Sequence, residues 1–189
     1  TDFLRGYAAG FGASKPVNYE TSGMGDQLHY NLMNAKTSDV WKVGSHMMGE
    51  TIPKESNQVS LDNKLEDEWG IPQLKIDVDY DDNDEKMLQD FFDEFSEMYS
   101  KAGFTNIKTR DNGRKPGNDI HEMGGVRMGH DPKTSLLNQW NQMHHCDNVY
   151  VTDGACMTST ATQNPSLTFM ALTARAANHA IDKIKKGNI

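Results

Sequence analysis

Two short stretches carry the residue types that could do chemistry. The first is His121-Glu122-Met123-Gly124-Gly125-Val126-Arg127-Met128-Gly129. Histidine is the side chain that takes up and releases a proton near neutrality, so His121 is a candidate general base. The paired glycines beside it let the backbone turn tightly and approach a ligand with no Cβ in the way. The second stretch is Gln163-Asn164-Pro165-Ser166, which opens a segment where Leu167, Met170, Ala171, Ala174, Ala177 and Ile181 recur at three and four. That spacing predicts a helix with one buried face. Asn164 before Pro165 predicts an N-cap followed by proline at the first helical position. The helix then displays two amides and the Ser166 hydroxyl at its positive end, where free N–H groups favour negative charge. Capping alone also accounts for Asn164 and Ser166.

Other chemistries are less well served. His121, His130, His144 and His145, with Asp131 or Cys146, make a tempting metal set. No pair has i, i+4 helical spacing or sits in a CxxC arrangement, and adjacent histidines on a strand point to opposite faces, so no metal site is expected. A dinucleotide cradle needs G-x-G-x-x-G between a strand and a helix. After Gly10 and Gly12 the third position falls on Lys15, and the motif fails. There is no G-x-S-x-G elbow. Cys146 and Cys156 lie in no nucleophile motif and read as buried thiols.

The elements that must position the two stretches are legible in part. Residues 1–33 are rich in glycine and aromatics and read as loop and short strand. Residues 41–52 and 57–62 are strand-like. Leu74, Ile76, Val78 and Tyr80 alternate with polar residues, as in a half-buried strand of an antiparallel sheet. Asp82 with Glu85 predicts a capping box opening a helix from about Asp84 to Ala102, stopped by Gly103. Its apolar face is Met87, Leu88, Phe91, Phe95, Met98 and Tyr99. Residues 148–155 form a short apolar strand ended by Asp153-Gly154, and the last helix closes on a basic turn. The fold class is therefore α+β, with a β-rich lobe over 1–117 and a loop–strand–loop–helix tail over 118–189.

Composition limits the partners. The 189 residues suit one good-sized domain or two small lobes, and the net charge is −8. No basic stripe is present, so nucleic acid is not expected as a partner. No apolar run approaches a membrane span, and residues 1–10 lack a signal-peptide pattern. The expectation is a soluble protein of a bacterial cytoplasm or periplasm, with the compartment unassigned.

Taken in order, His121 to Gly129, Asp131-Pro132, Ser135 to Asn138, Asn148 to Gly154 and Gln163 to Thr168 resemble the C-terminal part of glucose–methanol–choline (GMC) oxidoreductases. Residues 57–80 with the acid-capped helix are similar to that family's substrate-binding lobe. The likeness covers nearly the whole chain and is densest over 121–179. Within the family it is nearest the branch with histidine then Asn-Pro, which includes pyranose 2-oxidase and the large subunits of sugar and gluconate dehydrogenases.

The resemblance implies an FAD enzyme that oxidises an alcohol or sugar hydroxyl to a carbonyl by hydride transfer to flavin N5. His121 matches the base that removes the hydroxyl proton, and Asn164 the second residue of the catalytic pair. Asp153 and Gly154 match the strand end beside the cofactor's phosphate–ribityl region. Asn164, Pro165 and Ser166 match the turn under the flavin's pyrimidine edge, so the helix mouth would stabilise charge developing there. Val126 stands where many members have threonine. The lobe over 1–117 becomes the antiparallel substrate lobe with packed helices, and 118–189 the strand–helix return of an FAD-binding domain whose N-terminal Rossmann half is absent. The chain then reads as a C-terminal fragment, inactive and weakly flavin-binding alone, with an apolar helix face that self-association could cover. A sugar or sugar-acid substrate and an electron-acceptor subunit are the implied partners. A non-catalytic carbohydrate-binding or interaction module is the alternative.

Overall fold

A computed structural model describes residues 2–113, 115–118 and 120–188. They form two compact units, Tyr7–Met48 and the remainder. The smaller holds β1 (Tyr7–Ser14), β2 (Val17–Asn18), α1 (Asp26–Met33), β3 (Lys36–Thr37) and most of β4 (Lys42–Gly49). β1 pairs with β4, and β2 runs antiparallel to β3. A Cβ at Gly10 would lie 2.6 Å from the exposed His46 ring, which would have to turn aside. The helix α1 is an addition to the loop-and-strand expectation for residues 1–33. It has no side-chain cap and no buried residue, so neither signal that marks a helix in sequence is present.

The larger unit holds β5 (Gln58–Glu66), β6 (Pro72–Asp77), α2 (Asp82–Lys101), β7 (Gln142–Met143), β8 (Cys146–Tyr150), a 3-10 turn Gly154–Cys156 and α3 (Ser166–Lys185). β5 and β6 form an antiparallel hairpin with Val59 opposite Ile76 and Leu61 opposite Leu74. The predicted alternation is thus real through Asp77, while Val78 and Tyr80 lie beyond the strand. The hairpin is not half-buried as expected. It pairs with no third strand among the described residues, and Leu74 and Ile76 are exposed.

The α2 cap is a capping box, one residue earlier than Asp82 and Glu85. The Asp81 carboxylate accepts the N–H groups of Asn83 at 3.0 Å and Asp84 at 3.3 Å. The Asp84 carboxylate in turn accepts the Asp81 N–H at 3.0 Å. The run Asp81-Asp82-Asn83-Asp84 offers a cap in several registers, and Asp81 is the residue in extended conformation. At the other end Gly103 (φ 85) is the C′ residue expected of a stop. Gly103 donates to the Ser100 carbonyl and Phe104 to that of Tyr99, a Schellman closure sealed by an edge-on contact between the Tyr99 and Phe104 rings. Met87 and Phe91 are buried and Phe95 packs on Phe91, as the apolar spacing predicts, whereas Met98 is exposed.

Mixed helices and small antiparallel sheets make the chain α+β, in agreement with the sequence. No helix among the described residues is long and apolar enough to cross a membrane.

Candidate functional site

The segment after His121 turns at Gly125-Val126 and runs beside the turn that follows β8. The Gly124 N–H donates to the Gly154 carbonyl at 3.4 Å, Val126 to Ala155 at 2.9 Å and Met128 to Cys156 at 3.0 Å. Gly154 allows this approach, since a Cβ there would lie 2.9 Å from the Glu122 carbonyl oxygen and 3.2 Å from the Met123 sulfur. Gly124 adopts φ 92, a conformation that glycine takes at no steric cost. Asp153 caps the 3-10 turn by accepting the Ala155 N–H at 3.0 Å. The structure therefore brings the His121 segment and Asp153-Gly154 together. His121 itself is half-buried.

The mouth of α3 differs from the expectation. Pro165 is the N-cap and Ser166 the first helical residue, so Asn164 stands one position outside the helix. No side chain caps α3. Proline supplies no side-chain acceptor, and its carbonyl takes the Phe169 N–H at 3.0 Å. The helix thus begins with backbone N–H groups that no side chain satisfies. Asn164 and Ser166 are exposed, and Pro165 is buried beneath them.

The buried face of α3 is also not the expected one. Leu167, Met170, Ile181 and Ile184 are exposed. The inward stripe is Phe169, Leu172, Ala176, His179, Ala180 and Lys183, again at three- and four-residue steps. Two polar side chains anchor it. The Arg175 guanidinium donates to Asn141 Oδ1 at 2.9 Å and lies 3.5 Å from the Met128 sulfur. The His179 ring stacks on Trp140, with centroids 5.0 Å apart, and shares a 3.0 Å hydrogen bond with the Tyr150 hydroxyl. Asn141 is fully buried with φ 63, donates to the Val151 carbonyl at 3.0 Å and accepts the Val151 N–H. A polar residue at 0% exposure is stable there because its amide is satisfied on both sides.

Sequence reasoning missed Arg175 and Asn141. A signal was present: Arg175 interrupts a run of alanines at 171, 174, 176, 177 and 180, where small residues allow close packing. Among the described residues no hydrogen bond joins Asn164 to His121. Two clefts of about 310 and 450 Å³ lie in this unit, one beside Gly125 and Ser135, the other beside Trp140 and His179. Neither is lined by His121, Asp153 or Asn164. Among the described residues no cluster of three or more His, Cys, Asp or Glu is placed to hold a metal. His144 instead bonds the Ser135 hydroxyl at 3.1 Å, and His145 lies in the turn between β7 and β8.

Residues 53–173 match the family model for GMC oxidoreductases, in its C-terminal form. This chain belongs to the GMC oxidoreductases. The match spans β5 to the first turns of α3, and so includes the His121 segment, the Asp153-Gly154 turn and Asn164.

The relatives are alcohol and sugar oxidoreductases. A 2-methyl-1,2-propanediol dehydrogenase of Mycolicibacterium austroafricanum is 30% identical over 95% of this chain and 34% of its own length. The fructose dehydrogenase large subunit of Gluconobacter japonicus is 30% identical over 73% of the chain and 25% of its own length. The gluconate 2-dehydrogenase flavoprotein of Pantoea cypripedii is 31% identical over 62% of the chain and 20% of its own length. This GMC chain therefore spans about a third or less of the relatives it matches.

Proposed function

We propose that this chain is the C-terminal part of an FAD-dependent GMC oxidoreductase that oxidises a sugar or alcohol hydroxyl to a carbonyl. In this reading 1–117 is the substrate lobe and 118–189 the catalytic and cofactor-contacting segment. The observation that carries it is the ladder from Gly124, Val126 and Met128 to the turn after β8, which fixes the His121 segment beside Asp153-Gly154.

The residues present fit a flavin. α3 begins with N–H donors that no side chain caps, flanked by the exposed Asn164 and Ser166. Such an end suits the electron-rich pyrimidine edge of an isoalloxazine. A Cβ at Gly125 would meet nothing within 4 Å, so the backbone there is open to a neighbour. Asp153, Gly154, Asn164, Pro165 and Ser166 are the residues that would hold the cofactor. Bound FAD would supply the hydride acceptor at N5. His121 takes the substrate hydroxyl proton, and Asn164 donates a hydrogen bond to the same oxygen. Loss of that proton raises electron density on the oxygen and weakens the adjacent C–H bond.

The open α3 face of Leu167, Met170, Ile181 and Ile184 is then covered, in the full-length protein, by an N-terminal dinucleotide-binding half. The fructose relative is a large subunit, which supports an electron-accepting partner subunit here.

The test is to purify the full-length protein, record its visible spectrum and add sugars and alcohols anaerobically. A flavin band bleached by one of them, and bleached about 10²–10⁴-fold more slowly in His121→Ala, is the expected result. A colourless protein, or a band that none of them alters, would overturn the assignment. A colourless protein that still binds a sugar would point to a carbohydrate-binding module.

A further inference from the structure

Two side chains one turn apart fasten α3 to the rest of its unit, and they do different things. Arg175 reaches Asn141 and His179 stacks on Trp140, so neighbouring residues of one turn receive positions i and i+4 of the helix. Only Arg175 also touches the His121 loop. Its guanidinium lies against the sulfur of Met128, the residue whose N–H makes the last rung to Cys156. Asn141 then passes the connection on, holding the Val151 backbone at the exit of β8 by its Nδ2 donor and its carbonyl. Among the described residues no carboxylate lies within ion-pair reach of Arg175. Its contacts are thus a neutral amide and a thioether, a pattern that suits geometry rather than charge neutralisation.

We infer that Arg175, acting through Asn141 and Met128, is a positioning residue that sets how the mouth of α3 sits against the His121 segment. It thereby aligns Asn164 and His121 on one substrate hydroxyl. The inference rests on the roles given to those two residues above. A planar guanidinium can meet an amide oxygen and a second neighbour at once, which a lysine ammonium on its flexible stem does poorly. A displacement of about 1 Å at the reacting atoms is enough to cost about 10²-fold in rate.

The test uses the full-length flavin-loaded protein and three variants. Arg175→Met removes the clamp, and Arg175→Lys keeps the charge. His179→Phe keeps a ring on Trp140 while losing the Tyr150 bond, so it loosens the same helix without touching Met128. Two quantities are read: amide hydrogen exchange at Val126 and Met128, and kcat against KM. Arg175→Met is expected to speed exchange at both amides about tenfold or more and to lower kcat about 10–100-fold, with KM within about threefold. Arg175→Lys should fall between it and wild type. His179→Phe, at an equal or larger loss of Tm, should move neither quantity more than about threefold. Unchanged exchange in Arg175→Met, or equal effects from His179→Phe, would overturn the inference. If Arg175→Met does not fold, the comparison of Arg175→Lys with His179→Phe decides it. A wild-type protein with no flavin or turnover would sink the assignment of His121 and Asn164, while the exchange comparison would still decide for or against the Arg175 clamp.

Discussion

The backbone after His121 and the turn after β8 touch directly, because Gly154 leaves no room for a Cβ against the Glu122 carbonyl oxygen. That carbonyl is backbone held by the adjoining ladder and cannot swing aside as a side-chain tip would. Gly154→Ala is therefore expected to destabilise the protein by about 1–3 kcal/mol, the usual cost of overpacking. Gly125→Ala is the matched control, since nothing lies within 4 Å of its Cβ position and its φ is not positive. Chemical denaturation of both variants checks this. Equal losses would mean that the contact at Gly154 is not what holds the two segments together.

The two thiols should separate cleanly in reactivity. Burial pushes the Cys156 thiol above its ordinary pKa, and the Asp153 charge adds to this against the opposing influence of the Asn141 amide and Arg175. Cys156 is 1% exposed, whereas Cys146 is only half-buried and donates to Asn148 Oδ1. A thiol-reactive disulfide reagent at neutral pH should label Cys146 in the native protein and Cys156 only on unfolding. Native labelling of Cys156, located by peptide mass, would show that the turn after β8 opens readily.

Much of this was legible in the sequence, for reasons that also explain what was not. Periodicity marked α2 and α3 because each is twenty residues long. The backbone contact between the His121 segment and Gly154 was not legible, because it joins residues about thirty apart through main-chain groups that every sequence carries. The cap register of α2 was ambiguous because consecutive acids each offer an acceptor. The mouth of α3 was misread by one residue because Asn-Pro suits both an N-cap pair and a residue outside the helix. The face of α3 that packs within this chain is not the one the apolar spacing marks, for a subtler reason. Alanines surround the helix, so apolar spacing alone does not choose a face, and the choice falls to Arg175 and His179, whose polar partners are distant in sequence. The exposed β5–β6 hairpin shows the same limit: alternation defines a face but not what covers it.

Asp84 makes stability depend on pH in a direction opposite to most carboxylates. Burial raises its pKa above the ordinary 3.8, with the nearby Asp81 charge adding to the effect, although hydrogen bonds from the Asp81 N–H and Thr51 oppose it. The folded state thus holds this proton more firmly than the unfolded chain. Its contribution to stability is complete below the unfolded pKa and is lost as pH rises through the raised folded value. Asp84→Asn keeps an acceptor for the Asp81 N–H and removes the titration. The stability difference should therefore shift in favour of the variant as pH is raised from about 3 to 6. Urea midpoints across that range check it, and a difference that stays constant with pH would contradict the raised value.

Asn164 and Asp81 separate capping from chemistry. Asn164 was the N-cap the sequence offered for α3, and the cap of α2 falls on Asp81, one residue before the expected Asp82; only Asp81 accepts N–H groups from its helix, while Asn164 stands outside α3 with no cap bond. Asp81→Ala should cost about 0.5–2 kcal/mol of stability, and Asn164→Ala less than about 0.5 kcal/mol. In the full-length enzyme the order should reverse. Asn164→Ala removes a hydrogen bond proposed to act on the reacting oxygen and should lower kcat about 10²-fold, the scale of losing one such donor. Asp81 caps a helix remote in sequence from His121 and Asn164, and its loss should leave kcat within about threefold at temperatures where the fold holds. Thermal denaturation and turnover on the same two proteins give all four numbers. If Asn164→Ala is unstable but fully active, the asparagine is structural, and the proposed pairing with His121 fails.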